Sequence, residues 1–125
     1  MARILLAEDE ESLRELVARA LILDGHEVVQ NPDGAKALEA LSRDGGRYDL
    51  LLTDIRMPVM DGIALAIAAG RDYPALPILL MTGYADQRER ASNLQLLIHD
   101  VIAKPFSLAT ICGAVREALG AKQLH

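Results

Sequence analysis

Short apolar runs, each followed by a polar residue, recur along the chain and alternate with segments of helical spacing. The four clearest are ILLA (4–7) before Glu8 and Asp9, DLLLT (49–53) before Asp54, PILLM (77–81) before Thr82, and VIA (101–103) before Lys104. Such a run, bounded by polar or turn residues, is typical of a strand buried on both faces of a sheet. Because helical patterns separate the runs, the sequence predicts parallel strands joined by helices.

A fifth, shorter strand is predicted at 27–30, which gives five β/α units. Their simplest packing is a doubly wound open α/β sheet with helices on both faces, since a closed barrel needs eight units. The 125 residues fit one domain, which we assign to residues 1–120, and 121–125 are expected to form a short C-terminal tail.

Helical spacing also predicts which residues face the core. In the first helix we expect a capping box of Ser12 and Glu15, a stop at Gly25, and an inward face of Leu13, Leu16, Val17, Ala20 and Leu21. After Asp54, the predicted inward face is Ile63, Ala66, Ile67 and Gly70, and a polar helix is predicted at about 87–97.

Charge and composition exclude several classes of function. The net charge is -5 and Lys and Arg form no cluster, which argues against nonspecific binding to nucleic acid or anionic lipid. No apolar run is long enough to span a bilayer and the N-terminus shows no signal-peptide pattern, so we expect a cytoplasmic protein. Cys112 is the only cysteine, which excludes an intramolecular disulfide and a thiolate metal cluster.

The predicted strands bring their polar residues to one edge of the sheet, where α/β proteins bind ligands. The first loop there carries four consecutive carboxylates, residues 8–11, in place of a glycine-rich phosphate-binding turn. Mg²⁺ prefers oxygen ligands and is typically held by one or two carboxylates plus a phosphate. We therefore expect Asp9 and Asp54 to be metal ligands, and Glu10 and Glu11 to be a solvated acidic helix start.

Asp54 is the candidate nucleophile. A carboxylate that ends the most apolar strand, close to the charges of Glu8 and Asp9, needs a cation beside it, either a metal or Lys104. An ionised aspartate beside Mg²⁺ can attack a phosphoryl donor and become an aspartyl phosphate. Lys104 can pair with Asp54 and then with phosphoryl oxygens, and the Thr82 hydroxyl can bond a phosphoryl oxygen. Taken alone, Lys104 is more typical of a surface lysine, and Thr82 is more typical of a turn residue at the end of a strand.

These residues, in this order, resemble the receiver domain of two-component response regulators over essentially the whole chain. The matching elements are Glu8-Asp9, the run DIRMPVMDG at 54–62, Met81-Thr82-Gly83 and Lys104-Pro105-Phe106. The resemblance implies a flavodoxin-like sheet of order 2-1-3-4-5. It also implies a phosphoryl group accepted on Asp54 from a histidine kinase or histidine phosphotransfer protein.

Further roles rest on the resemblance alone. It implies Mg²⁺ held by Asp9, Asp54 and the backbone carbonyl of Arg56, with Glu8 acting through water, and contact of Thr82 and Lys104 with the phosphoryl group. Receivers usually have an aromatic switch residue three positions before the lysine, where this chain has Val101. Thr82, Tyr84 and Val101 are therefore the expected switch residues, with Tyr84 as the nearest aromatic.

Segments 81–87 and 98–106 resemble stand-alone receivers of the CpdR type. Proteins of that type are phosphorylation-controlled adaptors for the ClpXP protease and are active when unphosphorylated. The resemblance therefore implies the ClpX unfoldase as a partner, and a phosphoacceptor signalling protein rather than an enzyme, with at most slow self-dephosphorylation.

Two other classes compete with the receiver. A Mg²⁺-dependent phosphatase with an aspartyl nucleophile, of the haloacid-dehalogenase type, needs a second aspartate two residues after the first, where Arg56 stands. A receiver-shaped binding module that is never phosphorylated is the other alternative, and the intact set of acidic residues argues against it. A flavin or nucleotide carrier is disfavoured by the acidic first loop and by the scarcity of aromatic rings, one Phe and three Tyr.

Overall fold

The structure, a computed structural model, describes residues 2–83, 94 and 97–123. Five parallel strands form one sheet in the order β2-β1-β3-β4-β5: β1 Arg3–Ala7, β2 Glu27–Asn31, β3 Leu50–Asp54, β4 Ile78–Thr82 and β5 Asp100–Ala103. The predicted strand order is confirmed. Asp54 and Thr82 prove to be the last residues of their strands rather than the first residues of loops.

Helices cover both faces of the sheet, as predicted. The described helices are α1 Glu11–Leu23, α2 Gly34–Arg43, α3 Gly62–Asp72 and α4 Leu108–Gln123. α1 and α4 pack on one face, and α2 and α3 pack on the other. Among these described helices there is none with the length and apolar character needed to cross a membrane.

Burial on both faces explains the continuous apolar runs. Every residue of β3 and β4 is buried, so neither strand can alternate apolar and polar residues. Leu51 and Leu80 point into the core beneath α2 and α3, whereas Leu52 and Leu79 point into the core beneath α1 and α4. The two cores fix the register of the central strands, because a shift of one residue would turn each side chain toward the opposite core.

Three local predictions are wrong. The capping box of Ser12 and Glu15 does not form, because the N-cap is Glu10 and Ser12 already lies inside the first turn, where its hydroxyl is 3.3 Å from Glu10 Oε1. Leu16 is 50% exposed and Ile67 is 45% exposed. Each helix buries only a narrow stripe against the sheet, centred on smaller neighbours such as Ala18 and Ala66.

The remaining boundaries agree with the sequence signals. Gly25, Gly45 and Gly46 follow the ends of α1 and α2 and all have positive φ, a conformation that glycine adopts without strain. α4 extends to Gln123, into the segment expected to be a tail. The polar helix predicted at about 87–97 falls largely outside the described residues.

Candidate functional site

The register of the sheet brings the carboxyl ends of four strands to the same level. Ala7 pairs with Thr53, Asp54 pairs with Met81, and Thr82 pairs with Ala103. The residues at or just after these positions therefore lie together at one edge of the sheet. They surround a cavity of about 390 Å³ lined by Glu8, Asp9, Glu10, Asp54, Arg56, Gly83 and Lys104.

Three carboxyl groups converge in this cavity. Glu8, Asp9 and Asp54 each offer one oxygen such that all three oxygens lie within 4.8 Å of one another. Glu8 is 1% exposed and Asp54 is 5% exposed, whereas Asp9 is exposed to solvent. Two buried carboxylates with a third at the rim form a set of hard oxygen donors that suits Mg²⁺, a cation that retains part of its water shell.

Lys104 bridges the two buried carboxylates. Its Nζ lies 3.1 Å from Asp54 Oδ2 and 3.3 Å from Glu8 Oε1. Burial alone would lower the pKa of the Lys104 ammonium, but the attraction and hydrogen bonds of Asp54 and Glu8 outweigh it, and the net effect is a raised pKa. The ammonium therefore stays charged and partly neutralises the site.

Glu8 has the most strongly perturbed ionisation in the site. Burial raises the pKa of its carboxyl from 4.5 to about 7, and the Asp54 charge and a hydrogen bond with Asp9 act in the same direction. The Glu10 backbone N–H, which donates to Glu8 Oε2 at 3.2 Å, and Lys104 oppose this shift. A divalent cation in the cavity would favour the ionised form of Glu8.

Asp54 is held by its own turn. The Ile55 N–H donates to Asp54 Oδ1 at 2.9 Å, and the Thr53 hydroxyl donates to the Asp54 carbonyl at 2.8 Å. The start of α3 packs against the same peptide, since a Cβ on Gly62 would lie 2.0 Å from the Asp54 carbonyl oxygen. Asp61 caps α3 by accepting from the Ala64 N–H at 2.8 Å, which fixes this close approach.

Thr82 ends β4 beside this group with its hydroxyl buried and without a hydrogen-bond partner among the described residues. The Lys104 N–H donates to the Thr82 carbonyl at 2.6 Å, so the two backbones are joined. An unpaired buried hydroxyl is costly, and a phosphoryl oxygen at the sheet edge is the kind of acceptor that it lacks.

The other predicted site residues have separate positions. Arg56 is exposed and lines the cavity. Val101 is half-buried and packs against the core beneath α2 and α3, away from the cavity lining. Tyr84 lies outside the described residues. Arg14, for which no sequence pattern predicts a role, donates from Nη1 to the Glu8 carbonyl at 2.8 Å.

A second cavity, of about 400 Å³, adjoins the acidic one and shares Gly83 and Lys104 with it. Leu13, Pro105 and Phe106 complete its mainly apolar lining. An apolar surface therefore lies directly beside the acidic cavity.

Comparison with known proteins gives a consistent result. The family profile described as response regulator receiver domain matches residues 4–116. The chain is 38% identical to the response regulator receiver protein CpdR of Brucella abortus, over 95% of this chain and 98% of that protein. It is 37% identical to the response regulator protein FleR of Pseudomonas aeruginosa, over 95% of this chain but 25% of that protein, so it spans about a quarter of FleR.

The fold also matches solved structures. The crystal structure of a response regulator receiver domain protein from Clostridium thermocellum superposes with a TM-score of 0.91, covering 99% of this chain and 98% of that one at 22% sequence identity. At this identity, the similarity establishes the arrangement of the strands and helices.

Proposed function

Because this chain belongs to the response regulator receiver domain family, we propose that it accepts a phosphoryl group on Asp54 from a histidine kinase or a histidine phosphotransfer protein. The observation that carries the proposal is the position of Asp54, which is buried at the end of β3, beside two further carboxyl groups and 3.1 Å from the Lys104 ammonium. Such a carboxylate is oriented by the Ile55 N–H and lies next to a cation, as a nucleophile toward phosphorus requires.

The transfer exchanges one bond to phosphorus for another. An Asp54 carboxylate oxygen attacks the phosphorus of a phosphohistidine, a P–O bond forms, and the P–N bond breaks. The electron pair leaves with the imidazole of the donor, which takes up a proton from solvent. We propose that Lys104, whose Nζ lies 3.1 Å from Asp54 Oδ2, and Thr82 at the end of the neighbouring strand bind the transferred oxygens. A phosphoryl oxygen would then give the buried Thr82 hydroxyl the hydrogen-bond partner that it lacks among the described residues.

Receiver domains bind Mg²⁺ at an acidic pocket, and the residues present here fit that ion. We propose that Asp9, Asp54 and the Arg56 backbone carbonyl hold it, with Glu8 contacting it through water. When bound, the ion supplies positive charge that offsets the charge of the phosphoryl oxygens. The supporting observation is the convergence of three carboxyl oxygens within 4.8 Å in a cavity of about 390 Å³.

A protein donor must place its phosphohistidine over Asp54, and the apolar cavity beside the site offers surface for it. The lining of Leu13, Pro105 and Phe106 is continuous with the acidic cavity through Gly83 and Lys104. The presence of this apolar surface beside the site favours a protein donor over a small phosphate ester, which would not reach it.

We further propose that the chain acts by protein–protein interaction as an adaptor that delivers substrates to the ClpXP protease, through the ClpX unfoldase, in its unphosphorylated state. Support comes from the resemblance to CpdR-type regulators and from the 38% identity to CpdR of Brucella abortus over 98% of that protein. Val101 is half-buried against the core and stands where receivers usually have an aromatic switch residue. We therefore propose that Thr82 and Tyr84 transmit the phosphorylated state to the protein surface.

Phosphorylation is tested by incubating the protein with acetyl phosphate and MgCl₂ and measuring its intact mass. We expect one hydroxylamine-labile phosphoryl adduct that is absent in Asp54→Asn and in the presence of EDTA. Asp72→Asn, a change at an exposed aspartate on α3, is the matched control and should retain the adduct. An adduct that persists in Asp54→Asn would refute Asp54 as acceptor, and continuous hydrolysis of small phosphomonoesters would favour the phosphatase alternative.

The adaptor role is tested by measuring binding of the chain to purified ClpX before and after phosphorylation. We expect the unphosphorylated protein to bind and the phosphorylated protein to bind at least several-fold more weakly. Asp54→Asn should bind ClpX with or without acetyl phosphate. Equal affinity of the two wild-type states would eliminate phosphorylation control of this interaction.

A further inference from the structure

We propose that Arg14 is a positioning residue for the divalent cation site, which it serves by fixing the Glu8–Asp9 peptide from outside the acidic cavity. The inference rests on the proposed Mg²⁺ site, and it assigns a function to a side chain that does not line that cavity.

Arg14 contacts both ends of this short loop. Its Nη1 donates to the Glu8 carbonyl at 2.8 Å, and its backbone N–H donates to the Glu10 carbonyl at 2.9 Å. One residue in the first turn of α1 thus binds the carbonyl before Asp9 and the carbonyl after it. The loop is thereby joined to the helix that follows it.

The loop depends on this contact because α1 begins without a side-chain cap. Glu10 occupies the N-cap position and its side chain makes no capping hydrogen bond. On the other side, the Glu8 N–H donates to the Asn31 carbonyl of β2 at 3.1 Å. The bond to the Asn31 carbonyl fixes the Glu8 N–H, and the bond from Arg14 fixes the Glu8 carbonyl.

The Glu8 carbonyl belongs to the same planar peptide unit as the Asp9 nitrogen. Rotation of that unit would therefore turn the Asp9 side chain relative to Glu8 and Asp54, whose oxygens now lie within 4.8 Å of that of Asp9. Glu8 is further restrained by Lys104 and by the Glu10 N–H, whereas Asp9 is exposed at the rim. We infer that Asp9 is the ligand whose placement depends most on Arg14.

The charge of Arg14 and its hydrogen bond have opposite effects on cation binding. As a positive charge beside the acidic loop, Arg14 repels Mg²⁺, so its removal should strengthen binding if charge alone mattered. As a positioning residue it prearranges the carboxylates, so its removal should weaken binding. The sign of the change in affinity therefore separates the two roles.

The test is an NMR titration of the protein with MgCl₂ in the absence of any phosphoryl donor. We expect Arg14→Met to weaken Mg²⁺ affinity by about tenfold or more, the range typical for loss of a residue that orients a metal ligand. Arg14→Lys, which keeps a donor and a charge, should recover part of the affinity. The matched control is Arg19→Met, a loss of the same charge at an exposed position of α1, and it should leave affinity unchanged or slightly increased.

Unchanged or tighter Mg²⁺ binding in a folded Arg14→Met would overturn the inference, as would a stability loss with no change in affinity. If Arg14→Met does not fold, Arg14→Gln gives the same comparison, and wild-type affinity in that variant overturns the inference equally. Absence of Mg²⁺ binding to the wild-type protein would instead refute the proposed metal site. The two failures are therefore distinguishable.

Discussion

Lys104 Nζ lies 3.1 Å from Asp54 Oδ2, which joins residues 50 positions apart in the sequence. The same ammonium is 3.3 Å from Glu8 Oε1, so one cation is shared by two buried carboxyl groups. With Asp9, three carboxyl groups therefore surround one ammonium. This set of oxygen donors makes the cavity attractive to a divalent cation, which would favour the ionised form of each carboxyl group.

Replacement of Lys104 by Met should raise the pKa of Glu8 above its value of about 7 in the metal-free protein, because Lys104 is one of the groups that lower it. The measurement is an NMR titration of the Glu8 side-chain carboxyl in EDTA. Lys36→Met, which removes an exposed lysine from α2, is the matched control and should leave the Glu8 titration in place. An unaltered Glu8 pKa in Lys104→Met would contradict the bridging role.

Glu8 should make the metal-free protein less stable as the pH rises. The folded-state pKa of Glu8, about 7, lies above its ordinary value of 4.5. The stability that protonated Glu8 contributes is therefore fully present below pH 4.5 and is lost as the pH rises through 7. Relative to Glu8→Gln, wild type should therefore lose on the order of 3 kcal/mol of unfolding free energy across this interval. Urea denaturation in EDTA measures the difference.

The control for this pH effect is Glu15→Gln, which changes an exposed glutamate on α1. It should show the same pH dependence of stability as wild type. Parallel stability curves for wild type and Glu8→Gln between pH 4.5 and pH 7 would show that Glu8 carries no such proton linkage.

Gly62→Ala should destabilise the protein and disturb the site together, because the new Cβ would lie 2.0 Å from the Asp54 carbonyl oxygen. Overpacking of this kind costs about 1–3 kcal/mol. Gly113→Ala, in α4 with nothing within 4 Å of the new Cβ, should instead gain about 0.5–1 kcal/mol from its higher helix propensity. Chemical denaturation measures the stability of both variants, and acetyl phosphate labelling of Gly62→Ala measures the disturbance of the site. Equal stabilities of the two variants would contradict the close approach of Gly62 to the Asp54 carbonyl.

Asp24 and Arg116 connect the end of α1 to α4, with Arg116 Nε 2.9 Å from Asp24 Oδ2. The hydrogen bond from Arg116 holds the pKa of Asp24 below its ordinary 3.8. A lowered carboxyl pKa contributes stability that is present above the ordinary value and lost as the pH falls through the folded-state value. The stability advantage of wild type over Asp24→Asn should therefore begin to fall as the pH drops below the ordinary 3.8, and it should be lost once the pH passes below the lowered folded-state pKa.

Thermal denaturation from pH 7 down to pH 2 follows this loss. Arg116→Gln should reproduce the behaviour of Asp24→Asn, whereas Arg19→Gln, an exposed charge change on α1, should follow wild type. If the advantage over Asp24→Asn stays constant down to pH 2, the ion pair is not the source of the pH dependence.

The sequence predicted the elements well where one local pattern decides them. Continuous apolar runs specify strands buried on both faces, as β3 and β4 are, and Gly25 specifies the end of α1, where it has positive φ. Local patterns failed at Leu16 and Ile67, because spacing identifies a helical face but not how wide a stripe of it the sheet covers.

By itself, the sequence determined the alternation of strands and helices and the positions of the polar residues that end each strand, since both depend on neighbours along the chain. Only the tertiary structure decided that Lys104 bridges Glu8 and Asp54, that Gly62 closes on the Asp54 carbonyl, and that Arg14 binds the Glu8 carbonyl. The first of these contacts depends on the order and register in which β1, β3, β4 and β5 pair. The other two contacts depend on how the start of a helix packs against the end of a strand. Spacing along the sequence does not encode that distance in space.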